Sequence, residues 1–417
     1  MRKIILTMIM MILFAGTAYA EDALPISGNF LVNYSARTTD NDDYLIGEER
    51  LQLEFSKDTS DPVNSSFFLK IDFINDDLAN EAGGDGDSSD IDTREGYITL
   101  VFDKIDFKVG RQITTWGVGD LLFINDVFPK DWTSLIAGRP LEYLKIGTDS
   151  IKAGLYSRIV NAELIVTPFF EEDSLPDGQR LYAYSPTMPA NINANRKELP
   201  DNDLSNSEVS LKMSQYIMDT DVALYAHRTY SRTPHMRYEG DTAVIFYPKL
   251  AIYGVTVQRA LLAGLAKFEY GYYQSREDES GADATIKNSE HRYLIAYDKE
   301  LFTEFNVGVQ YYAETMEEYG AYKDNLPAAE PKRDKTRQVT TLRLTKFMMY
   351  QTLRLSLFSL YSPSDKDYYV NPEVKYNITD SLYAALGVSV FGGNDNHTMY
   401  GQFDGNDNAY TQLRYTF

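Results

Sequence analysis

Residues 409–417 read Ala409-Tyr410-Thr411-Gln412-Leu413-Arg414-Tyr415-Thr416-Phe417. In an extended chain Ala409, Thr411, Leu413, Tyr415 and Phe417 fall on one side. Tyr410, Gln412, Arg414 and Thr416 fall on the other, because strand side chains alternate with a period of two. Chain ends usually fray into polar tails, yet this one stops on a patterned strand with a terminal Phe. An ordinary sheet protein ending on an edge strand would give the same alternation. So would a closed barrel in lipid, where the last strand must pair with the first to leave no edge.

The other end of the chain separates these readings. Arg2 and Lys3 precede an apolar run from Ile4 to Phe14 broken only by Thr7, and Ala18-Tyr19-Ala20 is an A-x-A cleavage site before Glu21. These are the parts of a secretory signal peptide. Residues 1–20 are therefore expected to be removed, leaving 21–417 as a single domain. The chain has no Cys, which excludes a lipoprotein anchor, thiolate catalysis and cysteine metal sites, and fits an oxidising compartment without disulfides. Without Arg2 and Lys3, 38 basic side chains face 61 acidic ones, a charge of −23. That balance argues against a nucleic-acid partner, which needs a basic footprint. No later stretch is long and apolar enough for a membrane helix. The 32 Tyr, 21 Phe and 2 Trp suit the aromatic girdles that a barrel places at both membrane interfaces.

Period-two segments separated by turn chemistry fall at about 25–37, 43–56, 64–75, 92–103, 105–115, 149–158, 160–170, 207–217 and 220–230. They continue at about 249–260, 263–276, 290–299, 301–314, 336–346, 350–361, 367–377, 380–391 and 408–417. That makes eighteen strands, or sixteen if one weak hairpin is misread. Short turns at Asp103-Lys104, Ile159-Val160, Met218-Asp219, Leu261-Leu262, Lys299-Glu300, Phe347-Met349 and Asn377-Thr379 alternate with long polar stretches such as 76–91, 116–148 and 171–206. Short turns at one end and long loops at the other are the rhythm of a transmembrane antiparallel β-barrel. An even strand count also brings both ends of the chain to the same side.

The aromatic last strand resembles that of Gram-negative outer-membrane β-barrels, whose assembly machinery reads it as a signal. Gly110-Arg111-Gln112 followed by Trp116-Gly117 resembles the G-R-Q…W-G stretch of substrate-specific porins and alginate-export-type channels. The loop at 116–148 resembles in position the pore-constricting third loop of porins. The resemblance implies an all-β barrel of the bacterial outer membrane, embedded in lipid and lipopolysaccharide, delivered by the assembly machinery through Phe417. It implies passive diffusion of small hydrophilic solutes rather than catalysis. Nothing in the sequence sets an oligomeric state.

A charge at mid-bilayer costs about 2–4 kcal/mol for Arg or Lys, so the charged parity of each strand points into the lumen. This gives twelve inward cations, Arg50, Lys70, Lys108, Lys152, Arg158, Lys212, Lys267, Arg337, Arg343, Arg354, Lys375 and Arg414. Against them stand eight acids, Glu54, Asp72, Glu95, Glu163, Glu208, Glu269, Glu304 and Glu373. The basic excess favours anionic or carboxylate-bearing solutes, with Arg343, Arg354 and Arg414 as leading wall residues and Arg337, Arg50 and Lys152 beside them. The turn at Phe347-Met349 sets Arg343 and Arg354 roughly opposite each other, which requires an anion, an acid or water between them. The loop carries both tryptophans, Trp116 and Trp132, among Leu, Ile and Phe. Such a loop is costly in water, so it is expected to fold inward and present Asp120, Asp126 and Asp131 to the arginines.

Two other classes remain open. A structural barrel sheathing a partner, such as an electron-transfer cytochrome or an export conduit, would keep the same strands but hold loop 116–148 outside the lumen. An outer-membrane hydrolase would need a His–Ser or Asp–His pair on the rim, for which Ser289-Glu290-His291 is the nearest sequence candidate. No cofactor is implied. Asp85, Asp87, Asp90 and Asp92, or Asp395, Asp404 and Asp407 with Asn394 and Asn408, offer hard oxygen ligands for Ca²⁺ without a complete EF-hand spacing.

Overall fold

The computed structural model describes residues 26–38, 44–60, 64–76, 89–176, 178, 180–184, 194–328 and 330–417. The expected signal peptide, Asp85 and Asp87 lie outside the described residues. The first five strands are β1 (Ile26–Arg37), β2 (Tyr44–Thr59), β3 (Asn64–Asp76), β4 (Ser89–Phe102) and β5 (Ile105–Gln112). After a long loop, L3 (residues 113–147), come β6 (Thr148–Leu155) and β7 (Asn161–Thr167). Three short strands, β8 (Ala194–Lys197), β11 (His235–Glu239) and β12 (Thr242–Phe246), form a separate sheet in which β12 lies between β8 and β11. The main sheet continues with β9 (Glu208–Ile217), β10 (Thr220–Tyr230), β13 (Lys249–Leu261), β14 (Gly264–Ser275), β15 (Glu290–Phe302) and β16 (Phe305–Met316). It ends with β17 (Thr336–Met348), β18 (Leu353–Ser362), β19 (Asp367–Asn377), β20 (Leu382–Gly393) and β21 (Asn408–Thr416).

Eighteen strands make the main sheet, each antiparallel to its neighbours, and they match the expected eighteen one for one. The sheet closes on itself. β21 pairs with β1 from Asn29↔Thr416 to Arg37↔Asn408, and Gly28 and Phe417 exchange both backbone hydrogen bonds at 3.0 Å. Closure leaves no open sheet edge for lipid to meet. Ile98, Val109, Ile151, Leu224, Tyr253, Ile295, Leu386 and Leu413 are exposed on the outer face, the band that the apolar parity required. No described helix is long and apolar enough to cross a membrane.

Two of the two-residue hairpin turns have both residues at positive φ, Met218-Asp219 (φ 48° and 61°) and Leu262-Ala263 (φ 51° and 59°). This left-handed pair matches the twist of the flanking strands even though no Asn-Gly announces it. The turn expected at Lys299-Glu300 lies instead at Thr303-Glu304, because Glu300 and Phe302 still extend the ladder with β16. Glu304, expected on the lumen wall, is therefore a turn residue at φ 63°, its N–H donating to Glu300 at 2.6 Å. Arg158 likewise falls beyond β6, in an exposed turn. Period two fixes which side a residue faces but not where a ladder stops.

The inner face departs from the expected polar wall. Ile252, Leu294, Val339, Leu360 and Phe391 point inward and are buried in one apolar cluster with Leu122, Ile124 and Ile136 of L3 and with Leu181, Tyr400 and Phe403 of other loops. Each fully buried aliphatic side chain contributes about 1.5–3 kcal/mol. This band is what makes an apolar loop stable inside a barrel.

Candidate functional site

L3 leaves β5 and crosses the lumen, held at three stations. At the first, Trp116 packs edge-on to Phe128 at 5.3 Å between centroids, and also against Tyr225 and Ile165 of the wall. At the second, the Glu269 carboxylate on β14 accepts from Val118 N at 2.9 Å, Asn125 N at 2.8 Å and Asn125 Nδ2 at 2.9 Å. One carboxylate thus ties both ends of the segment 118–125. Gln310 on β16 clasps the middle, accepting from Asp120 N at 2.8 Å and donating to Asp120 O at 3.0 Å. The tip sits where Gly254 and Gly271 face each other across the β13–β14 ladder. A Cβ on Gly254 would come within 1.6 Å of Asn125 Oδ1, and one on Gly271 within 2.6 Å of Ile124 Cγ2. Missing side chains on the wall make the seat for the loop.

The third station lies across the lumen. A short helix, α1 (Trp132–Ala137), is capped by Asp131, which accepts from Ser134 N at 2.8 Å, and ends at left-handed Gly138. Asn408 Nδ2 on β21 donates to Ile136 O at 2.9 Å, Gln412 Nε2 to Gly138 O at 3.3 Å, and Arg139 pairs with Glu48 of β2 at 2.7 Å. Within the loop Lys130 Nζ donates to Asp126 O at 2.8 Å and Phe128 O at 2.7 Å, and Lys145 also pairs with Asp126. Trp132 Nε1 donates to Asp173 at 2.9 Å.

Among the described residues L3 makes no hydrogen bond to β18, β19 or β20, and the charged wall there stays open to water. Arg343 on β17 and Arg354 on β18 have side chains 45% and 39% exposed, which is enough to meet a passing solute. Arg343 Nη2 lies 3.1 Å from Asp120 of L3 and 3.0 Å from Asp298, which also binds Lys267 at 2.6 Å. Arg354 pairs with Glu373 at 2.6 Å, and its ladder partner is Lys375, whose ammonium sits 3.5 Å from the Tyr383 ring centroid. Tyr383 in turn is the ladder partner of Arg414, which binds Glu142 of L3 at 2.7 Å. The result is a row of Arg354, Lys375, Tyr383 and Arg414 running around the four adjacent strands β18 to β21. Across the barrel Lys152 pairs with Glu163 at 2.8 Å, while Arg50, one strand beyond Arg414 on the far side of β1, pairs with Glu48 and Asp72 at 2.8 and 2.5 Å. Near the loop end of β17, Arg337 binds Asp365 at 2.5 Å.

The structure redistributes several expected roles. Arg343 and Arg354 both face inward but are not opposite: Arg343 pairs with Phe358 and Arg354 with Phe347. The turn occupies 349–352 rather than Phe347-Met349, which offsets them by four residues, about 13 Å of strand. Of the three loop aspartates only Asp120 meets a wall arginine. Asp126 is buried between two lysines and Asp131 caps a helix, so both hold the loop's shape. Glu269 was legible as an inward acid but not as the loop's anchor, and Gln310 carried no signal. The mid-strand glycines 254 and 271 were the available clue.

Asp90 and Asp92 belong to β4 rather than to a loop, with Asp92 the ladder partner of Asp72. Asp407 accepts from Phe391 N at 2.6 Å, and Asn408 serves α1. Among the described residues no group of three His, Asp or Glu is placed to hold a metal. Ser289-Glu290-His291 does not assemble a hydrolytic pair. Ser289 Oγ accepts from Ser275 N at 3.0 Å, while His291 sits between Tyr270 at 2.8 Å and Glu317 at 2.9 Å. His227 Nδ1 does lie 2.9 Å from Ser210 Oγ, but both side chains are buried beneath Trp116.

No protein-family model matches the chain. No curated relative matches it. Among solved structures it is similar to OccAB4 of Acinetobacter baumannii, with 10% identity, a TM-score of 0.60, and coverage of 94% of this chain and 97% of that one. It is also similar to OccK2 (OpdF) of Pseudomonas aeruginosa in complex with glucuronate, with 9% identity, a TM-score of 0.58, and coverage of 95% and 98%. OpdK of Pseudomonas aeruginosa with vanillate gives 10% identity, a TM-score of 0.57, and coverage of 94% and 98%. The chain has the closed eighteen-stranded barrel fold of the outer-membrane substrate-specific porins.

Proposed function

We propose that this protein is a bacterial outer-membrane channel through which small anionic, carboxylate-bearing solutes diffuse passively. The observation that carries the reading is the set of inward cations Arg343, Arg354, Lys375 and Arg414 on β17, β18, β19 and β21, of which Arg343 and Arg354 are 45% and 39% exposed to the lumen. Charged rings at a constriction select ions by sign. The glucuronate and vanillate in the two similar barrels are both carboxylates. Passage makes and breaks no covalent bond and needs no cofactor. Residues 1–20 serve as the export signal, lipopolysaccharide surrounds the loop end, and Phe417 addresses the chain to the assembly machinery.

A barrel sheathing a cytochrome or export conduit needs an empty bore, and the in-folded L3 weighs against it. The test is a planar-bilayer recording under a salt gradient. The wild-type channel is expected to prefer anions, and Arg343→Ala or Arg354→Ala to reduce that preference about two- to tenfold. Absence of conductance, or cation selectivity indifferent to both changes, defeats the reading.

A further inference from the structure

Asp298, Gly308 and Arg343 lie in one row across three strands, as direct ladder partners on β15, β16 and β17. A Cβ on Gly308 would come within 2.4 Å of Asp298 Oδ1 and 3.4 Å of Arg343 Nε. The absent side chain therefore lets the guanidinium lie flat across β16 to reach Asp298. Asp298 holds Arg343 from the wall at 3.0 Å, while Asp120 approaches the same Nη2 from the lumen side at 3.1 Å. With Lys267 on Asp298 at 2.6 Å, the four charges cancel. The Asp120 backbone cannot drift away, because Gln310 holds both its N–H and its C=O, and Gln310 is itself braced by donating to Thr341 Oγ1 at 2.7 Å. The Asp120 carboxylate, 32% exposed, remains free to rotate about its side-chain bonds.

We propose that Asp120 is a tethered stand-in for the solute, occupying the position on Arg343 that a solute carboxylate takes during passage. This rests on the anion-channel reading above and names the residue that sets how tightly an anion is held there. A carboxylate replaces the Asp120 carboxylate like for like, with the same planar acceptor geometry for the guanidinium. Chloride must displace the same partner but returns a single spherical contact, so it gains less from the exchange. Asp298 keeps Arg343 aimed throughout, and Asp120 returns when the solute has left. Asp120 thereby adds the same displacement cost for every anion and keeps the arginine from holding any one solute tightly.

The experiment compares wild type with Asp120→Asn in planar bilayers, using potassium chloride, potassium acetate and potassium glucuronate. Asp120→Asn preserves shape and removes the competing charge. The expected result is a several-fold higher chloride-to-potassium permeability ratio, with the preference for acetate over chloride, which the guanidinium itself sets, unchanged. The acetate concentration that half-blocks chloride current should also fall by about tenfold. Gln310→Ala, which frees the Asp120 backbone without removing a charge, should shift the same quantities in the same direction by less. If wild type is anion-selective and Asp120→Asn matches it in both permeability ratio and acetate block, the stand-in role is wrong while the channel reading survives. A cation-selective wild type overturns both.

Discussion

Replacing Gly254 by Ala is expected to unseat L3 and widen the lumen. The new Cβ would lie 1.6 Å from Asn125 Oδ1 and 2.6 Å from its Cγ, where ordinary contact needs about 3.5 Å. Asn125 must therefore retreat by about 2 Å. Its N–H and its Nδ2 both donate to Glu269, at 2.8 and 2.9 Å, and a hydrogen bond to a charged group contributes about 1.5–3 kcal/mol. Losing one of them outright and straining the other weakens docking by about 3 kcal/mol. That is about a hundredfold in the ratio of docked to undocked loop. In single-channel recordings the variant should show a larger main conductance with frequent excursions between levels. Gly271→Ala should behave alike. Gly96→Ala, where the nearest neighbour would be Leu69 Cδ1 at 3.4 Å, should not. If Gly254→Ala folds, as judged by the gel mobility of the unheated barrel, and conducts like wild type, then L3 is not what narrows this lumen.

Other perturbations probe separate parts of the molecule. Arg139→Ala removes one partner from the fully buried Glu48, a change that typically costs about 3–5 kcal/mol, and should lower the unfolding temperature of the barrel and raise current noise. Burial, aided by nearby Lys287 and Arg333, pushes the His235 imidazole below its ordinary value of 6.5, while its hydrogen bond to Thr285 O opposes the shift. The folded form therefore binds fewer protons than the unfolded one, so this contribution to stability is present above pH 6.5 and is lost as the pH falls below it. Hydrogen exchange in β11 and β12 should accelerate through that range, and His235→Gln should flatten the dependence. Phe417→Ala leaves the backbone exchange with Gly28 intact but removes the terminal ring, so the yield of membrane-inserted protein should drop while the purified barrel melts close to wild type.

The strands were legible because a two-sided sheet writes its environment into every other residue, and the lipid face tolerates no exception. Leu382, Ala384, Leu386, Val388 and Val390 could hardly mean anything else. Relations across the lumen were much less legible. The offset between Arg343 and Arg354 depends on a turn at 349–352 whose first three residues, Met349, Tyr350 and Gln351, adopt positive φ (51°, 56° and 68°) without any glycine to announce it. Asp120, Asp126 and Asp131 looked equivalent in a row of loop acids. They acquire different tasks only once the loop meets Gln310, two lysines and its own helix. Glu269 was readable as inward, but its service to two loop amides is a property of the folded path alone.

The third station of L3 sits on the seam where the sheet closes, since Asn408 and Gln412 belong to β21 and Glu48 to β2 beside β1. The β1–β21 ladder is the one that turns the sheet into a closed cylinder, so L3 is fastened to both sides of that seam. The loop works as an internal latch that ties the earliest and latest strands to the middle of the wall. Prising the barrel open sideways would then bare not only two strand edges but also an apolar loop torn from its berth. The same few contacts that shape the bore thus add to the resistance of the finished cylinder to coming apart.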